Sequence, residues 1–180
     1  MIDLSFIPQD KQDTLPPVHL WKPEFCGDMD LLIKANGEWI HQGEKINRPA
    51  LVKLFSRILW LENNEYFLVT PVEKVRIQVE DAPFLITGFR FIEQDDGHPF
   101  VAFYTNTDDC LILGQNDHNL WLENSKPYVS VRYGMKALVH RNIYYELVEL
   151  GIEKEINDIP HLCLQSGEAF FSLGALTDDN

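Results

Sequence analysis

Apolar and polar positions alternate in short runs along this chain, and most of the runs have the period of a strand. Leu31–Ala35 and Trp39–His41 flank Asn36-Gly37, which predicts a tight hairpin. After Asn47 the spacing lengthens. Leu51, Leu54, Phe55, Ile58 and Leu59 fall at i, i+3, i+4, i+7 and i+8, one apolar face of a helix. Asn47 is the predicted N-cap, Pro49 suits the first turn, and Asn63-Asn64 is the predicted stop. Tyr66–Thr70 then reads as a strand cut by Pro71. Val75, Ile77 and Val79 alternate with Lys74, Arg76, Gln78 and Glu80 as a half-buried strand.

More strands open the second half: Phe84–Ile92, Phe100–Thr105 and Leu111–Leu113, separated by Asp95-Asp96-Gly97 and Thr107-Asp108-Asp109. A turn at Asn116–Asn119 leads to Trp121, and Tyr128–Tyr133 is a further strand. Met135, Val139, Ile143, Leu147 and Leu150 predict a helix over 135–150 that stops at Gly151. Leu162–Leu164 and Ala169–Leu173, joined across Ser166-Gly167, predict a closing hairpin.

The pattern defines three zones. Residues 1–25 hold Pro8, Pro16, Pro17 and Pro23, four of the ten prolines, together with Phe6, Leu15, Val18, Leu20, Trp21 and Phe25. Proline removes amide donors, so this is read as an extended arm laid over the body. Residues 26–83 form an N-terminal α+β module, and residues 84–180 a β-rich C-terminal module with the helix at 135–150; Thr177–Asn180 is read as a fraying end. Each module carries an Asn-rich turn, a Trp, a strand and then a helix with Ala-Leu-Val near its start, at Ala50-Leu51-Val52 and at Ala137-Leu138-Val139. That suggests two copies of one plan. The repeated Trp-Leu-Glu-Asn at Trp60 and Trp121 falls in a different register and is read as coincidence.

Composition narrows the classes of function. The 180 residues carry 15 basic and 28 acidic side chains, a net charge of −13 with His neutral. Such a balance opposes non-specific binding to nucleic acid and to an anionic membrane, since both need a broad basic surface. No apolar run reaches the ~20 residues of a membrane helix, and no basic-then-apolar leader opens the chain. Cys26, Cys110 and Cys163 are odd in number and far apart, which fits buried thiols in a reducing cytoplasm. Phosphate-binding loops, serine-hydrolase elbows and Cys-x-x-Cys pairs are absent. His19, His41, His98, His118, His140 and His161 never fall at i, i+4 on a predicted helix. The expectation is therefore a non-enzyme with no metal and no cofactor.

Several strings together resemble an uncharacterised bacterial family, domain of unknown function 1285. They are Asn36-Gly37-Glu38-Trp39 with Ile46-Asn47-Arg48, Leu68-Val69-Thr70-Pro71-Val72-Glu73-Lys74, and Val79-Glu80-Asp81-Ala82-Pro83-Phe84. Thr105-Asn106, Pro127-Tyr128-Val129-Ser130-Val131-Arg132 and Tyr144-Tyr145-Glu146-Leu147-Val148 complete the set, which spans Trp21 to Gly174. The resemblance implies a duplicated α+β architecture whose second half is loosely pleckstrin-homology-like. It also implies a cleft between the halves that takes a nucleotide-like ligand, and a role in signal transduction.

Two basic islands give a separate reason to look for an anion. Lys45, Arg48, Lys53 and Arg57 occupy 45–57 with no acid, and Arg132, Lys136 and Arg141 occupy 132–141 with His140 and no acid. Both lie at the N-terminal half of a predicted helix, the wrong end for cations unless they hold an anion or pair with carboxylates of neighbouring strands. Arg141 and Tyr145 share a helix face: either a phosphate grip beside a stacking ring, or a structural Arg–carboxylate pair under a packed Tyr. Glu73 and Lys74 follow the break at Thr70-Pro71, and Asp81 precedes the break at Ala82-Pro83, where they line the cleft or cap strand ends. Three functions follow. The first is a ligand-binding module for a small anion, using Arg48, Glu73, Lys74, Asp81, Arg132, Lys136, Arg141 and Tyr145. The second is a protein-interaction module using the cleft or a sheet edge. The third is an enzyme of unknown class built on Glu73, Lys74 or Asp81.

Overall fold

The computed structural model describes residues 14–177, which divide into two units at Pro83/Phe84. In the first unit a 3-10 turn at Val18–Leu20 precedes β1 (Phe25–Ile33), β2 (Trp39–His41), β3 (Glu44–Lys45), α1 (Pro49–Ser56), β4 (Leu59–Glu62), β5 (Glu65–Val69) and β6 (Lys74–Val79). The second unit holds β7 (Phe84–Ile92), β8 (Phe100–Thr105), β9 (Cys110–Ile112), β10 (Leu120–Glu123), β11 (Lys126–Ser130) and β12 (Lys136–Val139). After these come α2 (Arg141–Glu149), β13 (Ile152–Ile156), β14 (Ile159–Ser166) and β15 (Ala169–Ala175).

Each unit is built on a six-stranded mixed sheet, and the two sheets share one plan. The first runs β3-β2-β1-β6-β5-β4; the second runs β10-β11-β12-β7-β8-β9, the same order when reversed. In each, the two central strands are parallel, β1 with β6 and β7 with β12, and every other pair is antiparallel. The α+β class and the two similar modules expected from sequence are present. A small third sheet, β13-β14-β15, completes the second unit.

The strings that mark the repeat are not the ones expected. Ala50-Leu51-Val52 lies in α1, but Ala137-Leu138-Val139 lies in β12, so the triplets are not equivalent. Trp-Leu-Glu is the true repeat. Leu59–Glu62 and Leu120–Glu123 form the edge strands β4 and β10, with Trp60 opposite Phe67 and Trp121 opposite Tyr128. The helices are not equivalent either: α1 lies between β3 and β4, whereas α2 follows β12.

Two predicted helices are shorter than expected. Leu59–Glu62 forms the first strand of the β4–β5 hairpin after a turn at Arg57-Ile58, and Asn63-Asn64 is its two-residue turn with φ of 51° and 62°, not a helix stop. Two successive left-handed residues give the type I′ turn that matches strand twist. Arg48, not Asn47, is the N-cap of α1, and no side chain caps it. At 135–150 the first five residues do not start the helix. Met135, Ala137 and Val139 are buried in alternation with half-buried Lys136 and Leu138, and β12 pairs with β7 at Ala137–Phe84 and Val139–Ile86. Residues four apart share a face in a strand as well as in a helix, so the spacing of Met135 and Val139 fits both periods. His140 caps α2, its ring accepting from the Asn142 N–H at 3.2 Å.

The first core gathers Leu31, Ile33, Trp39, Ile58, Leu59 and Leu68, with the Trp39 and Phe55 rings stacked 6.3 Å apart. Residues 1–13 of the expected arm, Phe6 included, lie outside the described residues. Its described part is not uniformly extended, since Val18 is buried within the 3-10 turn and packs beside β4. The second core gathers Phe84, Ile86, Phe103, Met135, Val139 and Leu147. The third sheet is pinned to it through Ser166, which accepts from the Val101 N–H at 2.9 Å and donates to the Leu113 carbonyl at 2.7 Å.

Candidate functional site

In the first module, Lys74 opens β6 and reaches across the sheet to the Glu62 carboxylate at the end of β4, with its ammonium 4.4 Å above the Phe67 ring. The Lys74 side chain is 17% exposed. Trp60, Glu62, Val69 and Lys74 line one side of a depression whose other side is the chain from Val18 to Pro23. Glu73 sits in the turn before β6, where its N–H meets Thr70 Oγ1 at 2.9 Å and its carbonyl accepts from the Thr70 N–H at 2.8 Å. One of its carboxylate oxygens is buried with no hydrogen-bond donor among the described residues. Asp81 is half-buried after β6, and Arg48 is exposed at the start of α1. The rest of the first basic island is engaged. Lys45 meets Glu38 at 2.7 Å, and an Arg57 terminal nitrogen donates to the Thr14 carbonyl. The Lys45 hydrogen bond, aided by Asn36, holds the Glu38 carboxyl below its ordinary range.

In the second module Lys136 repeats the arrangement of Lys74. Its ammonium is 2.8 Å from Glu123 and 4.0 Å above the Tyr128 ring. Glu62 and Glu123 are the acids of the repeated Trp-Leu-Glu, so that string supplies one half of each ion pair. Arg132 is more enclosed. Its Nη1 is 2.7 Å from Asp109 Oδ1 with side chains 11% and 19% exposed, and its guanidinium lies 4.8 Å from the Phe84 ring centre. The other Asp109 oxygen accepts from Thr105 at 3.0 Å and Thr107 at 2.9 Å, both buried.

Arg141 differs from these. It opens α2, its Nε–H donates to the Tyr145 hydroxyl at 2.6 Å, and its guanidinium lies 5.3 Å from the same ring centre. No carboxylate meets Arg141 among the described residues, the first turn of α2 holds no acid, and both side chains are exposed. The candidate cations thus separate by chemistry: Lys74, Arg132 and Lys136 are neutralised in place, Arg141 is held by a neutral phenol, and Arg48 is exposed and meets no carboxylate among the described residues.

Other groups are perturbed by burial rather than arranged for chemistry. Desolvation pushes the Tyr144 phenol up, and that hydroxyl donates to the Leu173 carbonyl. The Cys163 thiol is raised for the same reason, with Lys154 opposing. Among the described residues no three His, Cys, Asp or Glu side chains gather to hold a metal ion. No helix there is long and apolar enough to cross a membrane.

Fold and geometry together define a duplicated α+β protein in which each six-stranded module carries the same lysine–aromatic–glutamate cluster. Residues 16–82 match the family model for the N-terminal domain of DUF1285, a domain of unknown function, and residues 83–173 match its C-terminal domain. The chain belongs to the DUF1285 family. It is similar to the crystal structure of a DUF1285 protein from Silicibacter pomeroyi DSS-3, with 40% identity and a TM-score of 0.78, over 91% of this chain and 90% of that one. A DUF1285 protein from Shewanella baltica OS155 is similar at 31% identity with a TM-score of 0.56, over 67% of this chain and 91% of that one. No curated protein matches the chain.

Proposed function

We propose that the second module is a non-enzymatic binding module for a small anionic ligand, gripped by Arg141 and faced by Tyr145. The observation that carries this is the state of Arg141: its guanidinium is oriented by a phenol and left without a carboxylate, whereas Lys74, Arg132 and Lys136 already have one. An exposed arginine with its terminal nitrogens unspent matches a phosphate or carboxylate bidentately. The N–H groups at the start of α2 add to the positive potential there. Tyr145, 49% exposed, offers a ring on which a base stacks, which favours a nucleotide-like anion. Arg132 and Lys136 are already spent on ion pairs within the second module's sheet. Exposed Cys26 and Cys110 and buried Cys163, none in a disulfide, support a cytoplasmic setting. A ligand-sensing role in signalling is the corresponding physiological reading.

A thermal-shift panel of nucleotides, cyclic nucleotides, nucleotide cofactors and inorganic phosphate tests this. A ligand at about 100 times its Kd adds about 2.7 kcal/mol. The expected result is a rise of several degrees with one compound, lost in Arg141→Ala and reduced in Tyr145→Ala. A shift that survives Arg141→Ala, or no shift with any compound, overturns the assignment.

A further inference from the structure

A second surface of the C-terminal module has different chemistry. Where β7 ends, the chain turns through Pro99, and α2 gives way to β13, a groove of about 220 Å³ opens. Phe91, Pro99, Leu150, Ile152 and Leu164 line it, and only His98 and Gln165 are polar. Phe91, Leu150 and Ile152 are 41%, 48% and 40% exposed, so three large apolar side chains meet solvent at one place. The walls are held. The Gly167 N–H bonds the Pro99 carbonyl at 3.0 Å, and Gly151 is packed so closely that a Cβ would stand 2.6 Å from Leu162 Cγ.

The stretches of chain beside the lining residues are acidic and internally unbalanced. Glu93, Asp95 and Asp96 follow Phe91, while Glu149, Glu153 and Glu155 flank Leu150 and Ile152. All six are exposed, and none is ion-paired among the described residues. Lys154 is the only cation in these two stretches, and it lies 4.4 Å above the Phe170 ring. Like charges in the stretches that supply the apolar floor repel one another until a partner supplies cations. β13 is also an edge of its sheet, so among the described residues no strand lies beside its outer backbone groups.

We propose that this groove docks an extended segment of a partner protein, with two neighbouring apolar side chains in the groove and flanking Lys or Arg against the carboxylates of the adjoining stretches. The apolar floor sets the first requirement, the carboxylates set the second, and the open edge of β13 offers main-chain pairing. Neither Arg141 nor Tyr145 lines this groove.

A phage-displayed library of random peptides, selected on the full chain, tests the proposal. Enriched peptides are expected to carry an apolar pair beside Lys or Arg. A synthetic copy is expected to lose about tenfold or more in affinity to Leu150→Asp. Glu149→Lys with Glu153→Lys is expected to weaken binding and flatten its dependence on salt, while Val72→Asp in the first module leaves it unchanged. The melting temperature of each variant separates lost binding from lost folding. No enrichment, enrichment of peptides without basic residues, or affinity indifferent to Leu150→Asp in a folded variant overturns the proposal.

Discussion

Asp109 illustrates how single side chains divide between structure and binding. It closes a network with Thr105, Thr107 and Arg132, all largely removed from solvent. Removing the carboxylate takes an ion-pair partner from an enclosed guanidinium and an acceptor from two buried hydroxyls, so Asp109→Ala is expected to cost about 3 kcal/mol, read from urea denaturation. A cost under about 1 kcal/mol would place Arg132 among solvated surface charges instead. Asp28 gives a pH dependence of known sign. The Arg76 hydrogen bond holds its carboxyl below the ordinary value, against a desolvation contribution that raises it. A depressed carboxyl stabilises the fold above its unfolded value and loses that contribution as pH falls through the depressed one. Melting temperature against pH is therefore expected to fall less steeply on the acid side in Asp28→Asn. The pair is exposed, so added salt is expected to shrink the difference.

At the scale of elements, several boundaries were legible in the sequence because local pattern and turn chemistry agreed. β7 and β8 fall where alternation and their flanking Gly, Pro and Asp residues put them. The misread elements are those where one string satisfies two periods. Met135-Lys136-Ala137-Leu138-Val139 fits a helix at i, i+4 and a strand at i, i+2, and pairing with β7 decides for the strand. Asn63-Asn64 suits a helix end or an I′ turn, so the apolar run before it fits either a helix or a strand, and pairing with β5 decides for the strand. The equivalent turn in the second module, Asn124-Ser125, places Ser125 at φ 62°. A left-handed serine is strained where glycine is not, so Ser125→Gly is expected to raise stability by up to about 1 kcal/mol in denaturant melts. Gly151→Ala is expected to act the other way, by about 1–3 kcal/mol, because its Cβ would overlap Leu162.

At the scale of the molecule, each module has its own sheet and its own buried core, with Trp39 and Leu68 in one and Phe103 and Met135 in the other. A fragment of residues 84–177 is accordingly expected to melt cooperatively with strand-type circular dichroism; a non-cooperative melt would show that this core is insufficient alone. The sequence by itself determined the α+β class, the division into two similar modules, most of the strands, and a family resemblance carried by strings across both halves. These are written in neighbouring residues, through period, turn residues and composition. Tertiary structure alone decided which copy of each string is the repeat and which cations are neutralised. It also brought Phe91, Leu150 and Leu164 to one groove. Lys74 meets a carboxylate 12 positions away, Lys136 one 13 away and Arg132 one 23 away. Sheet order and register set those distances, and they arise from packing the whole module, so no local pattern in the chain records them.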